Sequence, residues 1–276
     1  MNVKKLFRFG LGNLVGAVLT VATGFILLFT PIGKGLVNAS YNLLFAPRKH
    51  IKTDEVMIVY LDDDSHRELK QSYLEAWDRD YHTRLLKRLK EDGAKAVVFD
   101  IVFTDAMTNN PARDERFAQA IKENGKVCLG ADYVPTGEEE ALARKTVLPF
   151  EPFLDAAATV GIVEVMPDDD FIVRTINPGD SEELVSSLDW ATAEMLAVPV
   201  TQGKDDKEKA SKKFQERWLN YYGPPRHIPG VSFFKAISDE QGVRTPPGFF
   251  RDKIVYVGAH VITWLQGERK DEYRSP

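Results

Sequence analysis

The chain opens on one long apolar block and then alternates short apolar runs with amphipathic ones. Residues 11–30, LGNLVGAVLTVATGFILLFT, carry no charge. At about 1.5 Å of rise per residue, such a helix spans about 30 Å, the apolar thickness of a bilayer. A cleaved signal peptide is the competing assignment, with Val37, Asn38 and Ala39 as a small-residue cleavage site. Its apolar run would exceed the usual length of about 7–15 residues, which favours a retained transmembrane anchor over residues 1–35. Residues 36–46, LVNASYNLLFA, read as an amphipathic connector stopped by Pro47.

Beyond the anchor the apolar runs shorten. VMIVYL (56–61), AKAVVFDIVF (94–103) and KVCLGADYV (126–134) read as buried strands. Between them, residues 79–92 set Leu85, Leu86 and Leu89 on one helical face before Gly93, and residues 113–123 do the same with Phe117, Ala120 and Ile121. Continuously apolar strands separated by helices predict an α/β fold: a largely parallel sheet with helices on both faces, three layers in all. Farther on, FLDAAA (153–158) reads as a short helix. VGIVEV and FIVRTI predict a hairpin turning at Asp168–Asp170, and SLDWATAEMLA (187–197) a helix capped by Ser187. RWLNYYG (217–223) and KIVYVGA (253–259) read as strands, with a helix beginning near Ser232, and 203–213 as a solvated loop or helix face. No linker is long enough to divide residues 51–276, and residues 36–276 form one predicted domain.

Charge changes the picture at the N-terminus. Lys4, Lys5, Arg8, Lys34, Arg48 and Lys49 are the only charged residues among the first fifty, so a chain of net charge −5 carries −11 on the remainder. An acidic body repels phosphate backbones and disfavours nucleic-acid binding. The crowding of Lys4, Lys5 and Arg8 before the apolar run places the N-terminus in the cytoplasm and the body outside the cell (inner) membrane. Gly12, Gly16, Thr20 and Gly24 form a small-residue stripe suited to a homodimer of anchors, although glycine is common in membrane helices generally. The lone cysteine, Cys128, reads as a small buried hydrophobe, and no metal-ligand spacing supports zinc.

The candidate chemistry is carboxylate. Asp62, Asp63 and Asp64 follow the first strand directly, Asp100 lies in the second and Asp105 just past it. In an open parallel sheet, ligands collect beyond the carboxyl ends of the strands. Asp62, Asp63 and Asp100 around a divalent cation such as Mg²⁺ or Ca²⁺ is one reading; turn-capping aspartates, with Asp100 buried and accepting backbone N–H bonds, is the other. A receiver-like or phosphoryl-transfer site lacks its lysine, since none follows IVYVGAH. No phosphate loop or catalytic triad is present, and no catalytic residue is assigned.

MIVYLDDDS (57–65), with Asp62, Asp63 and Ser65, resembles the opening of a CHASE domain of the second type. Trp77 and Arg79 resemble its tryptophan–arginine element, with Glu-Ala and Asp78 in place of the flanking prolines. Gly93-Ala94, Phe99-Asp100-Ile101 with Phe103, Asp114 with Phe117-Ala118, Leu148-Pro149, Gly161 and Asp168–Asp170 with Arg174 follow in order. Asn220 to Pro224, Lys253-Ile254-Val255 with Gly258, and DEYRSP (271–276) complete it. Phe171 stands where the family has a glycine, and residues 260–270 match poorly. The resemblance implies an extracytoplasmic sensory module of a bacterial receptor whose output is a nucleotide cyclase or a protein kinase. It also implies further membrane helices downstream, so either a fragment or a stand-alone anchored ectodomain is expected. Asp62, Asp63, Ser65, Asp100, Asp114 and Arg174 are the candidate ligand-binding residues. The alternatives are a metal-dependent phosphoester hydrolase using the strand-end aspartates, and a ligand-free anchored scaffold using Trp218, Tyr221 and Tyr222, residues that otherwise read as core.

Overall fold

The computed structural model describes residues 11–47, 51–107, 110–135, 144–224 and 226–261. Lys4, Lys5, Arg8, Arg48, Lys49 and the closing segment 271–276 lie outside them. By its contacts the chain divides into two units, residues up to 50 and a body from Ile51 onward.

In the first unit, α1 (Leu11–Phe29) includes a stretch, Gly12–Phe29, that is long and apolar enough to cross a membrane and has no buried residue. It breaks at Thr30, whose backbone is extended because Pro31 follows. Proline at the first helical position then starts α2 (Pro31–Leu43), so the expected connector begins earlier than residue 36. Gly33 makes this corner possible: a Cβ there would sit 1.6 Å from the Leu27 carbonyl oxygen.

The body begins with β1 (Val56–Asp62), α3 (Asp63–Glu68), α4 (Arg79–Asp92) and β2 (Ala96–Asp100). Next come α5 (Pro111–Asn124), β3 (Val127–Pro135), β4 (Arg144–Val147), α6 (Glu151–Ala156) and β5 (Thr159–Ile162). Short β6 (Thr175–Ile176), β7 (Gly179–Asp180) and β8 (Val185–Ser186) precede α7 (Leu188–Met195) and α8 (Asp206–Lys213). The last elements are β9 (Arg217–Trp218), β10 (Gly230–Ser232), α9 (Phe233–Ile237) and β11 (Ile254–His260). The main sheet has the order β10-β1-β11-β2-β3-β4, with β5 also beside β3; only β4 runs antiparallel.

Strand alternation divides the core. Val97 and Phe99, with Val59 and Val257, face Leu85 and Leu89 of α4, Phe117 of α5 and Phe233 of α9 in one large cluster. Val98 and Cys128 point the other way, onto Leu188 and Ala191 of α7. Helices therefore cover both faces of a mostly parallel sheet, unevenly: on the β1 side alternate residues stay half-buried. Gly161 lets β5 and α7 close up, since a Cβ there would lie 2.5 Å from Leu188 Cα. Gly93 ends α4 in the left-handed conformation (φ 82°), as its position predicts.

Several expectations need correction. The second strand stops at Asp100 instead of running to residue 103, because the chain leaves the sheet there. Asp168–Asp170 do form a turn, with Asp168 N–H donating to Ile172 O, but no hairpin flanks it: β5 pairs with β3, and β6 with β9. The strand expected over 217–223 is reduced to β9. Beyond it, Leu219 N–H bonds the Arg174 carbonyl, and the Tyr221 hydroxyl bonds the Val173 carbonyl. Ser187 occupies the cap position of α7 without a side-chain capping bond. Trp218 and Tyr222 are 54% and 45% exposed, so neither is core.

Candidate functional site

At the end of β1, Asp62 turns the chain into α3. Its Oδ1 accepts from the Ser65 backbone N–H at 2.9 Å and the Ser65 hydroxyl at 2.6 Å, an N-cap. Its Oδ2 accepts from the Ser232 hydroxyl at 2.5 Å, and Ser65 Oγ in turn accepts from Phe234 N–H at 3.1 Å. Asp62 and Ser65 thus tie β1 and α3 to the start of α9. The capping role weighed for these aspartates is realised at Asp62, whose two oxygens hold three hydrogen bonds.

The other candidates disperse. Asp63 accepts from the Tyr73 hydroxyl at 3.1 Å. Asp100 lies at the same sheet edge as Asp62, but β11 runs between them: Asp62 is in register with His260 and Asp100 with Gly258. Two strand spacings and a two-residue offset put their Cα atoms about 12 Å apart. Asp100 is also exposed, not buried, because it ends β2 where the chain leaves the sheet. Among the described residues no three His, Cys, Asp or Glu side chains gather closely enough to hold an ion. Asp114 is buried in the first turn of α5; its Oδ2 accepts from Met107 N–H at 2.6 Å, while its Oδ1 lies 3.6 Å from Arg79 Nε. Arg174, also buried, donates from Nη1 to Asp168 at 2.7 Å and to Asp170 at 2.8 Å, and from Nη2 to Asp170 at 2.7 Å. Those bonds raise the Arg174 pKa and hold Asp170 down at about 2. Phe171, in the turn they close, takes φ 60°, the conformation expected of the missing glycine.

Two depressions flank this edge. One, of about 480 Å³, lies against Asp62, Asp63, Asp64 and Ser232 and is closed by Tyr60, Arg226 and His260. Arg226 Nη2 is 3.0 Å from His260 Nε2 there. The other, of about 380 Å³, opens beyond the carboxyl ends of β1, β11 and β2, at Leu61, Ala259 and Ile101. Trp77, Arg79, His82, His66 and Tyr73 wall it. His66 stacks on Tyr73 at 4.0 Å and meets Trp77 edge-on at 4.9 Å, with Nδ1 fixed 3.1 Å from the Gln71 carbonyl. Arg79 lies over the Phe103 ring at 4.7 Å, and burial lowers its pKa against the opposing pull of Asp114 and Asp105. His82 sits among Trp77, Phe99, Phe103, Phe117 and Phe233; burial, with Arg79 adding to it, drops its pKa to about 3, so the ring is neutral.

The second crevice sets the buried Arg79 and the neutral His82 among apolar walls, with Glu75, Asp105, Ser72 and Thr104 also lining it; apolar walls with a few placed polar groups are the usual make-up of a small-molecule site. The Cys128 thiol, buried and pushed up to about 12, is no nucleophile. Of the residues that make the crevice, His82 belongs to no motif in the sequence. Its spacing to Leu85, Leu86 and Leu89 puts it on the buried stripe of α4, the signal that exposes it.

Compared with known proteins, the chain matches a family model, the CHASE2 domain, over residues 17–268. No curated protein and no solved structure matches it. The match covers nearly the whole chain, and the chain belongs to the CHASE2 family, a sensory extracellular domain family and not a catalytic one.

Proposed function

We propose that this CHASE2 member is the membrane-anchored input part of a bacterial receptor, with its N-terminus cytoplasmic, its body in the periplasm or outside the cell, and a nucleotide cyclase or protein kinase as output. The observation that carries the reading is the crevice beyond the carboxyl ends of β1, β11 and β2, in a family of sensors whose member here also has a membrane-length apolar helix. A ligand there touches residues that follow β1, β2 and β11 as well as the start of α4. It signals only by its difference in affinity for two arrangements of those elements. The α1 glycines Gly12, Gly16 and Gly24 have nothing within 4 Å of an added Cβ, which suits a homodimer of anchors in the bilayer. The divalent cation at Asp62, Asp63 and Asp100 finds little support, because Asp62 is committed to the α9 tie.

Sidedness is the decisive test. Cys128 is buried, so Lys207→Cys on the exposed face of α8 introduces a singly reactive thiol. Labelling by a membrane-impermeant maleimide on intact cells is expected; labelling only after lysis overturns the reading. The scaffold reading keeps one supporting observation, the exposed Trp218 and Tyr222.

A further inference from the structure

A buried guanidinium has five N–H donors, and native structures satisfy nearly all such groups. Arg79 does not follow this rule. Nη2 donates one long bond of 3.3 Å to the Asp105 carbonyl, and Nε stands 3.6 Å from Asp114 Oδ1. Both Arg79 Nε and Asp114 Oδ1 are without a hydrogen-bond partner, although each residue is about 5% exposed (Arg79 4%, Asp114 5%). Three residues along α4, His82 Nδ1 is likewise buried and unpartnered. Arg79 and His82 face the same crevice of about 380 Å³.

Resting on the sensory reading above, we infer that this crevice takes a small organic monocarboxylate with an aromatic or branched apolar body. A carboxylate matches the planar fork of Arg79 and supplies the acceptors that Asp114, at its distance, does not. Leu61, Ile101, Phe103 and Ala259 give the ligand body an apolar bed, and Trp77 gives it a ring to pack against. Glu75 and Asp105 also line the crevice, and their charge works against polyanions such as phosphate. His82, kept neutral by burial, adds a hydrogen-bonding group without a second positive charge.

The test is calorimetric titration of the full chain in detergent with phenylacetate, benzoate and 3-methylbutanoate, against benzyl alcohol and inorganic phosphate. Saturable binding of at least one carboxylate is expected, with the alcohol at least tenfold weaker and phosphate silent. Two variants locate the site. Arg79→Met with Asp114→Leu removes both charges together, so neither is stranded, and Ala76→Trp fills the crevice from its exposed rim. Each is expected to weaken carboxylate binding at least tenfold; if the double variant does not fold, Ala76→Trp alone decides. Silence from all three carboxylates overturns the inference. So does alcohol or phosphate binding as tightly, and so does a folded variant that binds like the parent chain. Failure here with Lys207→Cys labelled from outside leaves the sensory reading standing, whereas labelling from inside removes that reading whatever binds.

Discussion

Arg174 and Arg79 are 1% and 4% exposed, yet the protein treats them in opposite ways. Arg174 spends its donors on three bonds of 2.7–2.8 Å to Asp168 and Asp170, closing a turn and presenting its own carbonyl to Leu219. Arg79 keeps one long bond and a distant counter-ion, beside an open crevice. The lesson is that burial of a charge does not reveal its role; the completeness of its hydrogen bonding does. A saturated cation holds the fold, and an under-satisfied one beside a cavity is ready for a ligand.

The contrast can be broken at Arg174 first. Arg174→Met strands two carboxylates that remain partly in water, and a loss of about 3 kcal/mol in denaturant unfolding is expected, the low end for a broken buried pair. The same variant should flatten part of the acid response. Arg174 holds Asp170 at about 2 against its ordinary 3.8, so this contribution is complete above the unfolded value and disappears as pH falls toward 2.

His82, on the Arg79 side, acts over a different pH range. Its unfolded pKa is 6.5 and its folded value about 3, so the unfolded chain binds the extra proton between them and stability falls as pH drops below 6.5. About 2 kcal/mol should be lost by pH 5, read from unfolding midpoints at the two pH values, and His82→Phe should remove that slope. A slope unchanged in the variant would place the titration elsewhere.

Smaller effects refine the picture. Ser232→Ala takes one charge-assisted bond from Asp62 and should cost about 1.5 kcal/mol in chemical denaturation. Phe171→Gly relieves a left-handed backbone in the Arg174 turn and should raise stability by about 1 kcal/mol, seen as a higher Tm. The double change Arg79→Met with Asp114→Leu should cost about 1.5 kcal/mol, chiefly for the Met107 N–H bond that Asp114 also accepts, because the ion pair it deletes never bonded well. If it costs as much as Arg174→Met, the two arginines are alike and the comparison fails.

Period and punctuation made much of the body legible. The unbroken apolar run of β1, the Leu85–Leu89 stripe and Gly93 correspond to real elements because each is a local signal. The residues around Arg174 are harder: two-residue strands such as β6 and β9 have no period, and the turn between residues 168 and 172 is held by its own backbone bonds and the Arg174 side chain rather than by a sheet. The site was half legible. Strand-end aspartates correctly marked the carboxyl edge, but strand order is a long-range property, and nothing local announces that β11 would part Asp62 from Asp100. Asp114 does not line the crevice, Arg79 is marked in the sequence only through the family resemblance, and His82 carries no motif.

That late strand has a bearing on biosynthesis. Ile254–His260 lies between two strands made about 200 and about 150 residues earlier, so β1 and β2 cannot be joined until most of the body has been translated. Any truncated product ending before Ile254 keeps two raw strand edges facing each other across a gap, open to proteases and to aggregation. Durability thus arrives only with β11, which makes that strand an internal check that translation has passed residue 260.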